Sequence, residues 1–177
     1  MDLIDMYDRT TAWVKTKIEG ATDKLDADTP CEEWNVRDLL NHVIGGQKLF
    51  ESGARGEGPS GPPPPGKPDD ILADDPVAQY EEARRKVLAA YREEGALEKG
   101  AMLLGIGVAD QAAHGWDLAK ATGQPLDMPD DIAQAAMSMV DGRLTDETRG
   151  HSFKAAVDVP ESAGAQDRYV AYLGRQP

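Results

Sequence analysis

Apolar and polar residues alternate along this chain with the period of helices. Leu3, Met6, Tyr7, Thr10, Trp13, Val14, Lys17 and Ile18 recur every three or four positions, which predicts an amphipathic helix over about 2–20. A second stripe of Val36, Leu39, Leu40, Val43, Ile44 and Phe50 predicts a helix over about 36–52. Asn35 stands at its N-cap with Asp38 three residues on, the pattern of a capping box. Gly45-Gly46 interrupts this helix with paired small residues that would let a neighbouring backbone come close. The third stripe, Val77, Tyr80, Ala83, Val87, Leu88 and Tyr91, predicts a helix over about 76–94 with Gly95 as its stop. A fourth helix is predicted over about 99–122, apolar at Met102, Leu103, Ile106, Val108, Ala109, Ala113, Trp116, Leu118 and Ala119 and ended by Gly123. Two shorter helices follow, from Pro129 to about Val140 and from about Ala165 to Leu173. No segment alternates strictly enough for a sheet, so the expected fold is all-α: a four-helix bundle with short additional C-terminal helices.

Between the second and third helices, about 53–75, the pattern stops. The run GEGPSGPPPPGKPDD holds six of the twelve prolines, too many for any regular core element. Extended at about 3.1 Å per residue, such a segment spans a five-turn helix of roughly 27 Å. The expectation is a long crossover that lets helices two and three run parallel. At 177 residues, the chain is expected to form one domain, 1–177, with this loop inside it.

Charge narrows the partners. With 32 acidic and 19 basic side chains the net charge is -13, which disfavours nucleic acid because phosphate neutralisation needs clustered Lys and Arg. No run of about eighteen apolar residues suggests a membrane span. Three aspartates before position 9 replace the basic residues of a signal peptide. With Cys31 as the sole cysteine, no intrachain disulfide is possible. A cytoplasmic protein is the expectation.

The candidate chemistry rests on two histidines in different predicted helices, His42 and His114. Asp110 lies four residues before His114 and therefore on the same helical face. Two imidazoles and a carboxylate can hold one divalent ion and leave positions open for water or substrate. Such Asp-x-x-x-His pairs also arise freely in helices, so packing or surface roles stay open on spacing alone. Asp38, four residues before His42, is read first as a helix-capping group and second as a group orienting the imidazole. Asp117 can orient His114 or sit on a solvated face. Cys31 is read as a buried, inert thiol, His151 as a surface residue, and Trp34 and Trp116 as packing anchors. Arg84 and Arg85 are possible partners for an anionic substrate but are not assigned to the site. Phosphate-binding loops, dinucleotide fingerprints, nucleophile elbows and His-Glu-x-x-His helices are absent from the sequence.

Taken together, Thr29-Pro30-Cys31, Trp34, Val36-Arg37-Asp38-Leu39, Asn41-His42, His114-Gly115-Trp116-Asp117-Leu118-Ala119 and Ala121-Thr122-Gly123-Gln124 resemble the metal-binding-domain family of mycothiol-dependent maleylpyruvate isomerase, an actinobacterial family within the DinB/YfiT-like group. The tail from Gln166 to Pro177 resembles that of its short single-domain members. The resemblance implies a DinB/YfiT-like four-helix bundle binding a divalent ion, commonly zinc, through His42, Asp110 and His114. It further implies mycothiol as the low-molecular-weight thiol cosubstrate, activated for attack on a small-molecule electrophile in a transferase or isomerase reaction. A non-catalytic metal- or small-molecule-binding bundle with a structural or regulatory role is the alternative. A homodimer is an open possibility. Asp110 stands where the isomerase carries Glu, shortening the reach by one methylene. The length leaves no room for the isomerase's additional C-terminal domain, so maleylpyruvate is not the expected substrate.

Overall fold

The computed structural model describes residues 2–59, 66–145, 149 and 153–177. Its helices are α1 (Leu3–Glu19), α2 (Val36–Gly53), α3 (Pro76–Tyr91), α4 (Ala96–Thr122), α5 (Asp130–Val140) and α6 (Ala165–Tyr172). No strand occurs among the described residues, and the one isolated bridge pairs Asp28 with Asn35. The all-α expectation is met. Most helix ends fall within a residue or two of the apolar pattern, but the α3–α4 junction is displaced. Helix α3 ends at Tyr91 with Arg92 as its C-cap, three residues short of the expected 94, and Gly95, at φ 74°, is the left-handed N-cap of α4 rather than the stop of α3. Ala96, almost fully buried, already belongs to the α4 stripe, so α4 begins three residues before its expected start.

Helix α4 is the spine, packed against α1, α2 and α5. Its closest approaches occur at glycines. A Cβ on Gly107 would stand 2.9 Å from the Tyr7 ring and 3.1 Å from Phe50, and one on Gly115 would stand 2.5 Å from the Trp13 ring. Small residues there let α1 and α2 settle onto the part of α4 that carries Asp110 and His114. The Gly45-Gly46 pair does not provide such an approach: it faces only side-chain atoms of Ile71 and Phe50 at 3.4 Å or more. The backbone-to-backbone contact lies instead between Gly53 at the end of α2 and Gly100 in the first turns of α4, where an added Cβ on Gly100 would overlap the Gly53 carbonyl. Because backbone cannot yield as a side chain can, Gly100→Ala is expected to cost about 1–3 kcal/mol. Urea unfolding with an unchanged m-value would read that loss, and a midpoint equal to wild type would refute the contact.

The loop after α2 is tied back onto α2 in its described part. Asn41 Nδ2 donates to Asp70 Oδ1 at 3.1 Å and Asn41 Oδ1 accepts from the Ile71 amide at 2.8 Å, while Lys67 donates to Asp38 at 2.6 Å. Residues 60–65 of the crossover lie outside the described residues. Arg84, read as a possible substrate partner, is otherwise engaged. Its side chain is 10% exposed and bridges Glu81 to Asp8 on α1, with a further bond to Thr11 Oγ1 at 3.1 Å. Arg85 pairs with Glu81 on its own helix. Arg84 is thereby committed to the contact between α1 and α3, whereas Arg85 stays 69% exposed.

Candidate metal centre

His42 enters the site because the capping box starts α2 in a fixed register. Asn35 Oδ1 accepts from the Asp38 amide at 3.0 Å, and Asp38 Oδ2 accepts from the Asn35 amide at 3.1 Å. Asp38 therefore caps the helix, one turn before His42. The Trp34 indole, immediately before the cap, lies against the His42 ring with centroids 5.0 Å apart, and 6.5 Å from that of His114. Trp34 is thus a wall of the site, whereas Trp116 is buried in the core at 1% exposure.

Asp110 joins the two imidazoles. Its Oδ1 stands 3.3 Å from His42 Nε2 and 3.5 Å from His114 Nε2, and the two rings meet edge-on at 4.8 Å between centroids. The three candidate ligand atoms all lie within 4.8 Å of one another. Ligands arranged tetrahedrally at about 2.0–2.2 Å from zinc stand about 3.3–3.6 Å apart, so the two carboxylate–imidazole separations suit a shared ion. Gln111 Nε2 donates to Asp110 Oδ2 at 3.2 Å, and Gln111 Oε1 accepts from the buried Tyr80 hydroxyl at 2.7 Å. This chain fixes the carboxylate plane. Burial by itself would raise the Asp110 pKa, but the charges of His114 and His42 and the hydrogen bonds from His42 and Gln111 outweigh it and lower it to about 2. For His42 burial pulls downward, and the charge and hydrogen bond of Asp110 raise it overall above 6.5.

Asp117 settles the orientation of His114. Its side chain is fully buried, so the solvated-face reading fails: one turn beyond His114, α4 is covered by the C-terminal tail. Asp117 Oδ2 lies 3.0 Å from His114 Nδ1. A carboxylate only accepts, so Nδ1 carries the proton and a neutral ring turns its Nε2 lone pair toward Asp110 Oδ1. In that neutral form two acceptors face each other at 3.5 Å, a juxtaposition that a proton on Nε2 or a cation between them would relieve. This is also the carboxylate–histidine arrangement that fixes the tautomer of metal-bound imidazoles.

Cys31 is half-buried, with Sγ 3.2 Å from Asp117 Oδ2 and 3.8 Å from His114 Nδ1. Burial pushes its pKa up, and the neighbouring Asp117 charge pushes it further. The thiol therefore stays protonated and donates to Asp117, which agrees with inert chemistry. Cys31, His114 and Asp117 also lie close enough to share an ion. That second grouping is a poor cation site, because Arg175 Nε and Nη2 already hold Asp117 Oδ1 and Oδ2 at 3.1 and 2.8 Å. His151 lies outside the described residues. Arg175 is the participant that spacing could not assign: its partner is 58 positions away, and only its place in the tail motif marked it.

The mycothiol maleylpyruvate isomerase N-terminal domain matches residues 9–119, a stretch that includes His42, Asp110, His114 and Asp117 and ends before Arg175. Two uncharacterized proteins of Mycobacterium tuberculosis, from strains CDC 1551 and H37Rv, are each 30% identical to the chain over 162 residues, covering 86% of it and 86% of their own length. No solved structure matches it. Among the described residues no helix is long and apolar enough to cross a membrane. With a match that spans more than half of its length, the chain belongs to the mycothiol maleylpyruvate isomerase N-terminal domain family.

Proposed function

We infer that this chain is a divalent-metal-binding protein of thiol chemistry, with His42, Asp110 and His114 as the ligands and zinc as the ion. The observation that carries the reading is the pair of imidazole Nε2 atoms converging on one Asp110 oxygen at 3.3 and 3.5 Å. A held ion supplies a Lewis-acidic position where a small thiol, mycothiol, is deprotonated at neutral pH for transfer to an electrophile or for its isomerisation.

The protein's own groups give that chemistry its setting. Three protein ligands leave coordination positions open, as catalytic rather than closed structural sites do. His42 and Asp110 keep 31% and 23% of their side-chain surface exposed, so the cluster is not sealed inside the core. Trp34 shields the imidazoles on one side. A polar cleft of about 360 Å³, lined by Thr29, Cys31, Trp34, Asn35 and Lys67 among others, shares Cys31 and Trp34 with the surroundings of the histidines. It offers a place for the non-reacting part of a thiol or its acceptor.

Protein purified without added metal is expected to carry about one ion per chain, since one three-ligand set makes one site. Elemental analysis measures this, and protein that stays ion-free after zinc is supplied would refute the reading. Metal-loaded protein should then accelerate conjugation of mycothiol to an electrophile. An ion without metal-dependent turnover across a panel of electrophiles would leave a binding module in place of an enzyme.

A further inference from the structure

The C-terminal tail reaches the same centre from outside the matched family region. Helix α6 ends at Tyr172, and Gly174 adopts φ 84°, the left-handed turn that lets the chain reverse after a helix. A Cβ on Gly174 would also meet the Lys154 backbone oxygen at 2.8 Å, so this turn needs glycine for both conformation and space. The Arg175 amide then bonds back to the Val170 carbonyl at 3.0 Å. Its guanidinium, 11% exposed, is thereby delivered onto Asp117 as a two-pronged fork. The Asp117 Oδ2 atom accepts from three donors: Arg175 Nη2 at 2.8 Å, His114 Nδ1 at 3.0 Å and Cys31 Sγ at 3.2 Å.

We propose that Arg175 is a positioning residue for the metal centre, holding Asp117 in the plane where it fixes the His114 tautomer and aims Nε2 at the ion. The inference rests on the metal reading above for its functional consequence. Geometry supports it in two ways. The fork fixes both carboxylate oxygens, which a point charge would not do, and with both oxygens held Asp117 cannot swing away from Nδ1. The tail therefore completes the ligand set from a part of the chain that contributes no ligand itself.

The test compares wild type with Arg175→Ala, Arg175→Lys and Gly100→Ala, the last a destabilised control whose lesion is remote from the centre. Zinc affinity is read by competition with a chromophoric chelator, coordination geometry by the visible spectrum of the cobalt(II) form, and the His114 tautomer in ion-free protein by nitrogen-15 NMR. Loss of an outer-shell partner typically weakens metal affinity about 10–100-fold. Arg175→Ala is expected to show that loss, an altered cobalt spectrum and a mixed His114 tautomer, with Arg175→Lys between it and wild type and Gly100→Ala at wild-type affinity. Should Arg175→Ala fail to fold, Arg175→Lys alone carries the comparison. Wild-type affinity and tautomer in the folded Arg175 variants, or an equal loss in Gly100→Ala, would overturn the proposal while leaving the metal reading intact. Absence of zinc and cobalt binding by wild type would instead remove both.

Discussion

His114→Ala is expected to abolish measurable zinc binding under conditions where wild type is saturated. Structural zinc sites are worth about 10–16 kcal/mol, so one of three or four ligands carries about 3–5 kcal/mol, about a 10²- to 10⁴-fold loss of affinity. His114 should sit at the upper end of that range. Its Nε2 faces Asp110 Oδ1 at 3.5 Å, its Nδ1 is held by Asp117 at 3.0 Å, and its side chain is only 13% exposed. His42, 31% exposed and held through Asp110 and the Trp34 face, has among the described residues no second carboxylate on its other ring nitrogen, so His42→Ala should cost less. The fold should survive His114→Ala because Asp117 keeps its two bonds to Arg175. Chelator competition on protein with unchanged circular dichroism makes the measurement. Wild-type affinity in His114→Ala would eliminate the site.

The proximity of the three side chains was legible in part. Helical period alone puts Asp110 and His114 on one face, and the Asn35–Asp38 box fixes the phase of α2 and so of His42. What brings the two faces together was less visible, because it depends on absent side chains: Gly107 and Gly115 admit Tyr7, Phe50 and Trp13 against α4. In the sequence these glycines look like weak points of a helix, while Gly45-Gly46 looks like the close approach and is not one. Helix lengths follow the apolar stripe except at the α3–α4 junction, where α3 stops at Tyr91 and the left-handed Gly95 opens α4.

Asp117 and Arg175 mark the other limit. A polar residue three positions after a histidine is equally at home in solvent or in a core, and the choice is made by whatever covers it. Here the cover is the tail, brought back by the Gly174 turn and by the bond from the Val157 amide to Ala171 at 2.9 Å. No local pattern announces a contact between positions 117 and 175. Cys31 is legible only after that contact is known, since its thiol becomes one of three donors to a single carboxylate oxygen.

Asp117→Ala is expected to destabilise the ion-free protein by about 3–5 kcal/mol, the cost of breaking a buried pair and leaving its partner uncompensated. The stranded group is Arg175, whose guanidinium is 11% exposed and makes both strong bonds of its fork to this one side chain. For a chain of this size each kcal/mol moves Tm by about 2–4 °C, so a fall of about 6–20 °C should appear in calorimetry. Acid provides a second signature. Burial opposes ionisation of Asp117, but Arg175 and the His114 hydrogen bond prevail and hold its carboxyl well below the usual range. A depressed pKa contributes stability that is present above the unfolded value of about 3.9 and is lost as pH falls through the folded one. The gap between wild type and Asp117→Ala should therefore be full near neutrality and narrow only below about pH 3.9. Replacing the pair together, Asp117→Ala with Arg175→Met, should recover much of the loss, because an apolar substitute avoids burying an unpaired charge. A single-variant loss under about 1 kcal/mol, typical of an exposed ion pair, would show that the tail does not bury this pair in solution. A large loss that the double variant fails to recover would place the cost in Asp117's bonds to His114 and Cys31, and would make the imidazole its principal partner.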